Sequence, residues 1–243
     1  MRIWAPGTDD PSGPTLVVTA HPDDVDFSMA GTVAALGDAG IRVVYCVVTD
    51  GDAGGSDRSV SRTEMAALRR EEQLKAAAEV GVDEVHFLGY PDGRLVASLD
   101  LRRDLARVIR TVRPGRVLCQ SPERLWESVY ASHPDHMAAG EAALAAAYPD
   151  ARNPFAFPEL LEEGLEPHVV PEIWVAATPR PDLAVDTTVF LERKLAALRS
   201  HRSQVGDGEH LRERIVPWNR SQAEAAGLPG GSLAELYRVV DAR

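Results

Sequence analysis

The chain is short of positive charge, of cysteine and of long apolar runs, and each shortage excludes something. Against 37 acidic residues stand 26 basic ones, for a net charge of −11. No basic cluster gathers on one stretch, so no nucleic-acid partner is expected. No uninterrupted run approaches the roughly 20 apolar residues that span a bilayer, and the opening MRIWAPGTDDPSGP has no apolar core of the kind a signal peptide carries. No membrane span and a cytoplasmic location are the expectations. The only two cysteines, Cys46 and Cys119, lie in apolar, strand-like runs, where buried reduced thiols are expected rather than a disulfide. Internal repeats and low-complexity segments are also lacking. The 243 residues, 44% of them hydrophobic and 26% charged, suffice for a full core and read as one domain over residues 1–243.

Strand and helix signals alternate through the first half, as in βαβ units. The expected fold class is therefore α/β: a Rossmann-like, largely parallel sheet flanked by helices. After TLVVTA, the spacing of Val25, Met29, Thr32, Val33 and Leu36 predicts a helix ended by GDAG, and IRVVYCVVTDG (41–51) predicts the second strand. GDAGGSDRSV is a Gly/Asp/Ser loop, and SRTE opens a further helix at Ser61 in capping-box form, with Glu64 three residues on. EVHFLGY is a strand. Leu101, Leu105, Val108, Ile109 and Val112 mark a helix, RVLCQSP and EIWVAAT are strands, and TTVFLERKLAALRSH is an amphipathic helix. The prolines of 149–171 predict a surface excursion near the site. The last 40 residues, with a capping-box pattern SLAE at 232–235, can be placed only loosely.

Two short stretches carry the chemistry. HPDD (21–24) and HPDH (133–136) each follow a predicted strand and precede a predicted helix, so a parallel sheet would bring both to the carboxyl ends of strands, where open α/β folds build their sites. Singly, each has a plain explanation: aspartates cap helix N-termini, and Pro22 and Pro134 suit the first helical position. Two such groups at matching positions point instead to a metal site. His21 and Asp24, like His133 and His136, stand three apart, a spacing that brings side chains to one side of a turn. Imidazole and carboxylate are offered in the proportion of catalytic zinc sites. Two histidines and a carboxylate also make the facial triad of non-haem iron enzymes, but that triad is usually displayed on a β-barrel.

TAHPDDVDFSMAGT, VTDGDAGG, LRREEQLKAAAEVGV, LGYPDG and SHPDH together resemble the LmbE/PIG-L family of zinc-dependent de-N-acetylases over roughly residues 15–140, and LRSHRSQV and AELYRVV resemble its C-terminal features. The resemblance implies Zn²⁺ as cofactor, held by His21, Asp24 and His136, with Asp23 as general base and His133 stabilising the oxyanion. It places Arg69 and Asp92 near the sugar. The implied substrate is a small N-acylated amino sugar, hydrolysed at its amide by zinc-activated water, which zinc brings to a pKa of about 7. A protonated His133 imidazole would suit the developing alkoxide, and Asp135 is expected to orient one of the flanking histidines. Tyr130 stands one residue off the place where some relatives carry a tyrosine.

The glycine-rich loop has neither G-x-G-x-x-G nor a Walker lysine and is expected at the rim of the site rather than around a phosphate. His86 reads as structural. His168, His201 and His210 lack partners at metal spacing, although His201 lies in a family-like stretch. Charge on the helix carrying Arg69 and Glu72 suggests a solvated face. A binding protein that had lost catalysis is a further alternative, but it would need neither Asp23 nor His133. Assembly into a homo-oligomer stays open.

Overall fold

The computed structural model describes residues 1–7, 10–55, 57–126 and 129–243; Thr8 and Asp9 of the opening stretch and Ser56 of the glycine-rich loop lie outside them. In chain order the elements are β1 (Arg2–Ile3), β2 (Thr15–Thr19), α1 (Asp24–Ser28), α2 (Ala30–Asp38), β3 (Val43–Thr49), α3 (Arg62–Glu79), β4 (Val85–Tyr90), α4 (Leu99–Val112), β5 (Arg116–Gln120) and α5 (Pro134–Ala145). Then follow α6 (Glu159–Glu162), β6 (Glu172–Ala176), β7 (Leu183–Asp186), α7 (Leu191–Ser200), α8 (Arg202–Val205), α9 (Leu211–Ala226) and β8 (Ala234–Asp241). They build one eight-stranded sheet of order β1-β7-β8-β6-β5-β2-β3-β4. All neighbours are parallel except β8, which runs antiparallel between β6 and β7.

Alternation along the central strands sorts their side chains to the two faces, and both faces are apolar, as a sheet covered by helices on each side requires. Leu16 and Val18 of β2, with Val44, Cys46 and Val48 of β3, pack toward α4 and α5. Val17, Val43 and Tyr45 join the helices of the opposite face. Cys46 and Cys119 are buried free thiols, pushed up to about 12 by burial. Both pair in register with Val18, from opposite sides of β2. That puts them two strand spacings apart, about 9.5 Å, too far for a disulfide.

Three expectations are corrected. The helix expected from Val25 to Leu36 breaks at Met29, whose φ of −139° separates α1 from α2. SLAE does not cap a helix: Glu235 lies within β8 and turns inward. There it accepts from the backbone N–H groups of Gly31 (3.0 Å) and Thr32 (2.7 Å) and pairs with Lys194 at 2.6 Å. It thus supplies the acceptors that the first amides of α2 need. Finally, none of residues 149–171 lines the main cavity. Arg110 of α4 donates to the carbonyls of Asp150, Ala151, Asn153 and Ala156, pinning the segment away from it.

The centre of the sheet has β2 flanked by β3 on one side and β5 on the other, with chain order reversing between β2 and β5. Loops leaving the carboxyl ends of such a pair diverge and leave a crevice. HPDD leaves β2 directly, and HPDH reaches the same crevice after β5.

Candidate metal centre and its cavity

HPDD does not cap its helix. Asp23 occupies the N-cap position of α1 without a side-chain capping bond, and Pro22 precedes it instead of opening the helix. The Asp23 backbone is left-handed, with φ 88°, a conformation uncommon outside glycine. Gln73 of α3 holds it there: its Oε1 accepts the Asp23 N–H at 2.8 Å, while its Nε2 donates to Asp26 at 2.9 Å. The Asp23 carboxylate is thereby turned away from its own helix. HPDH is more regular, with His133 as N-cap and Pro134 at the first position of α5, as expected.

The two groups meet. The rings of His21, His133 and His136 form a nearly equilateral triangle, with centroids 5.2, 5.2 and 5.3 Å apart, and their nitrogens are close enough to share a metal ion. Asp24 lies between two of them, with Oδ2 3.3 Å from His21 Nδ1 and Oδ1 3.0 Å from His136 Nε2. Donors about 2.0–2.1 Å from a tetrahedral ion are themselves about 3.3 Å apart, so this donor set fits a small divalent cation. Burial drives the Asp24 carboxyl up, but the charges and hydrogen bonds of His136 and His21 win and hold it well below the usual carboxylate range.

Behind these groups stands a second tier. Asp135 lies 3.2 Å from His21 Nε2 and accepts from the Gly93 and Leu95 amides at 2.7 and 3.3 Å. It therefore orients the histidine of the other motif, not a flanking one, and leaves His21 Nδ1 facing Asp24. Asp92 is 3.2 Å from the same Nε2 and also lines the cavity. His133 Nδ1 accepts the Asp135 N–H at 3.2 Å. A ring that accepts at Nδ1 carries its proton on Nε2. Burial and the charges of His21 and His136 hold His133 below the ordinary histidine value.

Arg69 and Glu72 are not on a solvated face; each is 4% exposed. Arg69 donates to the carbonyls of Gly51 (3.0 Å) and Pro22, and pairs with Asp23 at 3.3 Å. The glycine-rich loop makes room for it: a Cβ on Gly51 would stand 2.6 Å from the guanidinium. That, not phosphate binding, accounts for a glycine there, and Ala53 and Gly54 line the cavity rim. Burial lifts the Asp23 carboxyl to about 6, against the pull of the Arg69 charge.

Among the other histidines, His201 is fully buried and bonded to Asp26 at 2.8 Å, behind the centre instead of in it. His86 pairs with Glu84, His168 with the Pro114 carbonyl and His210 with Glu213. Sequence reasoning missed Gln73 and Asp26. It also missed α9, whose Arg214, Trp218 and Gln222 line the same cavity of about 930 Å³, together with Phe27 and Tyr130.

A model of the GlcNAc-PI de-N-acetylase (PIG-L) family matches residues 16–147. The chain is 37% identical to a diacetylchitobiose deacetylase of Thermococcus kodakarensis over 230 residues, 93% of this chain and 82% of that one. It is 28% identical over 196 residues to a probable N-acetyl-alpha-D-glucosaminyl L-malate deacetylase 2 of Bacillus anthracis, 78% of this chain and 80% of the relative. The crystal structure of N,N'-diacetylchitobiose deacetylase from Pyrococcus horikoshii, complexed with its inhibitor MPG, superposes with a TM-score of 0.86 at 30% identity, covering 97% of this chain and 88% of that one.

Proposed function

Since the chain belongs to the GlcNAc-PI de-N-acetylase (PIG-L) family, we propose that it is a zinc-dependent hydrolase removing an N-acetyl or other N-acyl group from a glucosamine-containing small molecule. The observation that carries this reading is the meeting of HPDD and HPDH around one donor set, with a second carboxylate, Asp23, beside it but outside it. In this reading His21, Asp24 and His136 hold the ion. When bound there, zinc supplies a Lewis acid that polarises the amide carbonyl and lowers the pKa of water to about 7.

The chain's own residues do the rest. The Asp23 carboxylate takes a proton from the attacking water and hands it to the departing amine. His133 directs its Nε2–H at the oxygen on which charge develops, and a neutral imidazole at a helix N-terminus suits that role. Asp135 fixes the ring of His21 through Nε2, and Asp92 stands at the wall where the sugar would lie. Deacetylase relatives, with a base and an oxyanion donor both present, do not favour an iron enzyme or a binding-only protein. Among the described residues no helix is long and apolar enough to cross a membrane. A cytoplasmic, single-domain enzyme is part of the same proposal.

Amine release from a panel of N-acylated glucosamine derivatives, with metal measured on the same preparation, tests it. The expected result is turnover with close to one divalent ion per chain. Full activity without any divalent ion would remove its centre.

Arg69 is read as the residue that steadies Asp23 against the sugar-binding wall. Lysine keeps its charge but loses the planar fork whose Nη1 reaches the Gly51 carbonyl while Nη2 reaches the Pro22 carbonyl and the Asp23 carboxylate. Arg69→Lys should therefore lower kcat on the order of 10-fold, as expected for one charge-assisted hydrogen bond, while metal content is retained. Unchanged kinetics on the best substrate would leave Arg69 with a packing role alone.

A further inference from the structure

The cavity is larger than its catalytic end requires. At about 930 Å³ it lies near the top of the roughly 300–1,000 Å³ range that holds a drug-sized ligand, so it has room for more than one amino-sugar ring. Its lining is of two kinds. One part is the histidines and carboxylates already described; the other is three residues of α9.

Helix periodicity explains how α9 serves two purposes. Leu211, Ile215, Asn219 and Ala223, four residues apart, form its buried stripe. Arg214, Trp218 and Gln222, also four apart, form a second stripe that lines the cavity. Gln222 is anchored, its Oε1 accepting the Leu236 N–H at 3.0 Å. The Arg214 guanidinium lies over the ring of Phe27 at 4.9 Å and near that of Tyr130 at 5.9 Å. Phe27 is three residues beyond Asp24 in α1, about one helical turn and so roughly 5 Å away along the axis. Phe27 and Arg214 both line the cavity, so the guanidinium is stationed on its wall.

Arg69 and Arg214 are the two arginines lining this cavity. Arg69 is spent on Asp23 and backbone carbonyls. Arg214 is held by aromatic faces and forms no ion pair among the described residues. A guanidinium stacked on rings keeps its N–H edge free, and that edge matches a carboxylate or phosphate in two parallel hydrogen bonds.

We propose that the α9 stripe selects the group attached to the amino sugar, and that this group is anionic: its carboxylate or phosphate meets Arg214, and its flat or apolar part lies against Trp218. The inference rests on the deacetylase reading and specifies the substrate for that same site.

Two N-acetylglucosaminides of the same anomer, one bearing a 4-carboxyphenyl group and the other a 4-carbamoylphenyl group, differ only in charge at the distal end. Amine release should show the carboxylate favoured in kcat/KM on the order of 10-fold by the wild type, less so at high salt. Arg214→Gln should bring the ratio to about 1, and Arg214→Lys should keep part of the preference. A wild-type ratio near 1, or a preference that survives in Arg214→Gln, overturns the assignment of Arg214 while leaving the deacetylase reading intact. Release of amine from no N-acetylglucosaminide at all overturns that reading and this inference with it.

Discussion

Replacing Asp23 by asparagine is expected to leave the ion bound and KM nearly unchanged while lowering kcat by on the order of 10²–10⁴, the usual contribution of a positioned general acid/base. Asparagine matches the shape of the carboxylate, so the left-handed backbone and the hydrogen bond from Asp23 N–H to Gln73 are kept. What is lost is a group able to accept a proton. Proximity to the cation and to Arg69 would by itself favour the ionised form, yet burial outweighs the guanidinium and lifts Asp23 to about 6. The base works only when ionised, so wild-type activity has an acidic limb where Asp23 takes up a proton. A bound cation draws the limb lower. The asparagine variant should lack this acidic limb, and a pH–rate profile with metal content measured alongside checks both halves of the expectation.

Asp24→Asn should fail differently. Its two oxygens approach His21 Nδ1 and His136 Nε2 at 3.3 and 3.0 Å, and its charge balances those rings. Without that charge the donor set is two imidazoles and an amide, and metal affinity should fall on the order of 10²-fold or more, since even residues behind a ligand are worth 10–100-fold. Activity should fall with occupancy and return in part with excess zinc. Chelation of the wild-type protein should give the same loss. Dialysis followed by metal analysis on both variants separates the roles: if Asp23→Asn lost the ion and Asp24→Asn kept it, ligand and base would be exchanged.

The parallel half of the fold was legible because its signals are local. Val17 and Val18, or Tyr45 and Cys46, alternate between two apolar faces, and each strand is punctuated by glycine, proline or aspartate. The paired His/Asp groups were legible for the same reason, since strand-end position follows from order along the chain. Buried polar residues were harder. Met65, Arg69, Glu72, Gln73, Ala76 and Ala77 form one buried stripe of α3, so the phase set by Met65 and the alanines already put Arg69 and Gln73 inside. Their charge and polarity argued for solvent, and the partners that satisfy them, the Pro22 carbonyl and the Asp23 amide, lie some 50 positions away. The β7–β8 region was missed outright. Its SLAE satisfies a capping rule in a short window, but the contacts that decide its fate join β8 to β6, β7 and α2.

The acceptors that Glu235 provides to Gly31 and Thr32 span 204 and 203 positions of chain. Ribosomes add about 5–20 residues per second, so the first amides of α2 wait roughly 10–40 s for the carboxylate that satisfies them. During synthesis α2 therefore starts without its acceptor, which arrives with β8, the last strand made. A chain cut short before β8 would retain both His/Asp motifs yet lack the carboxylate that satisfies the first amides of α2.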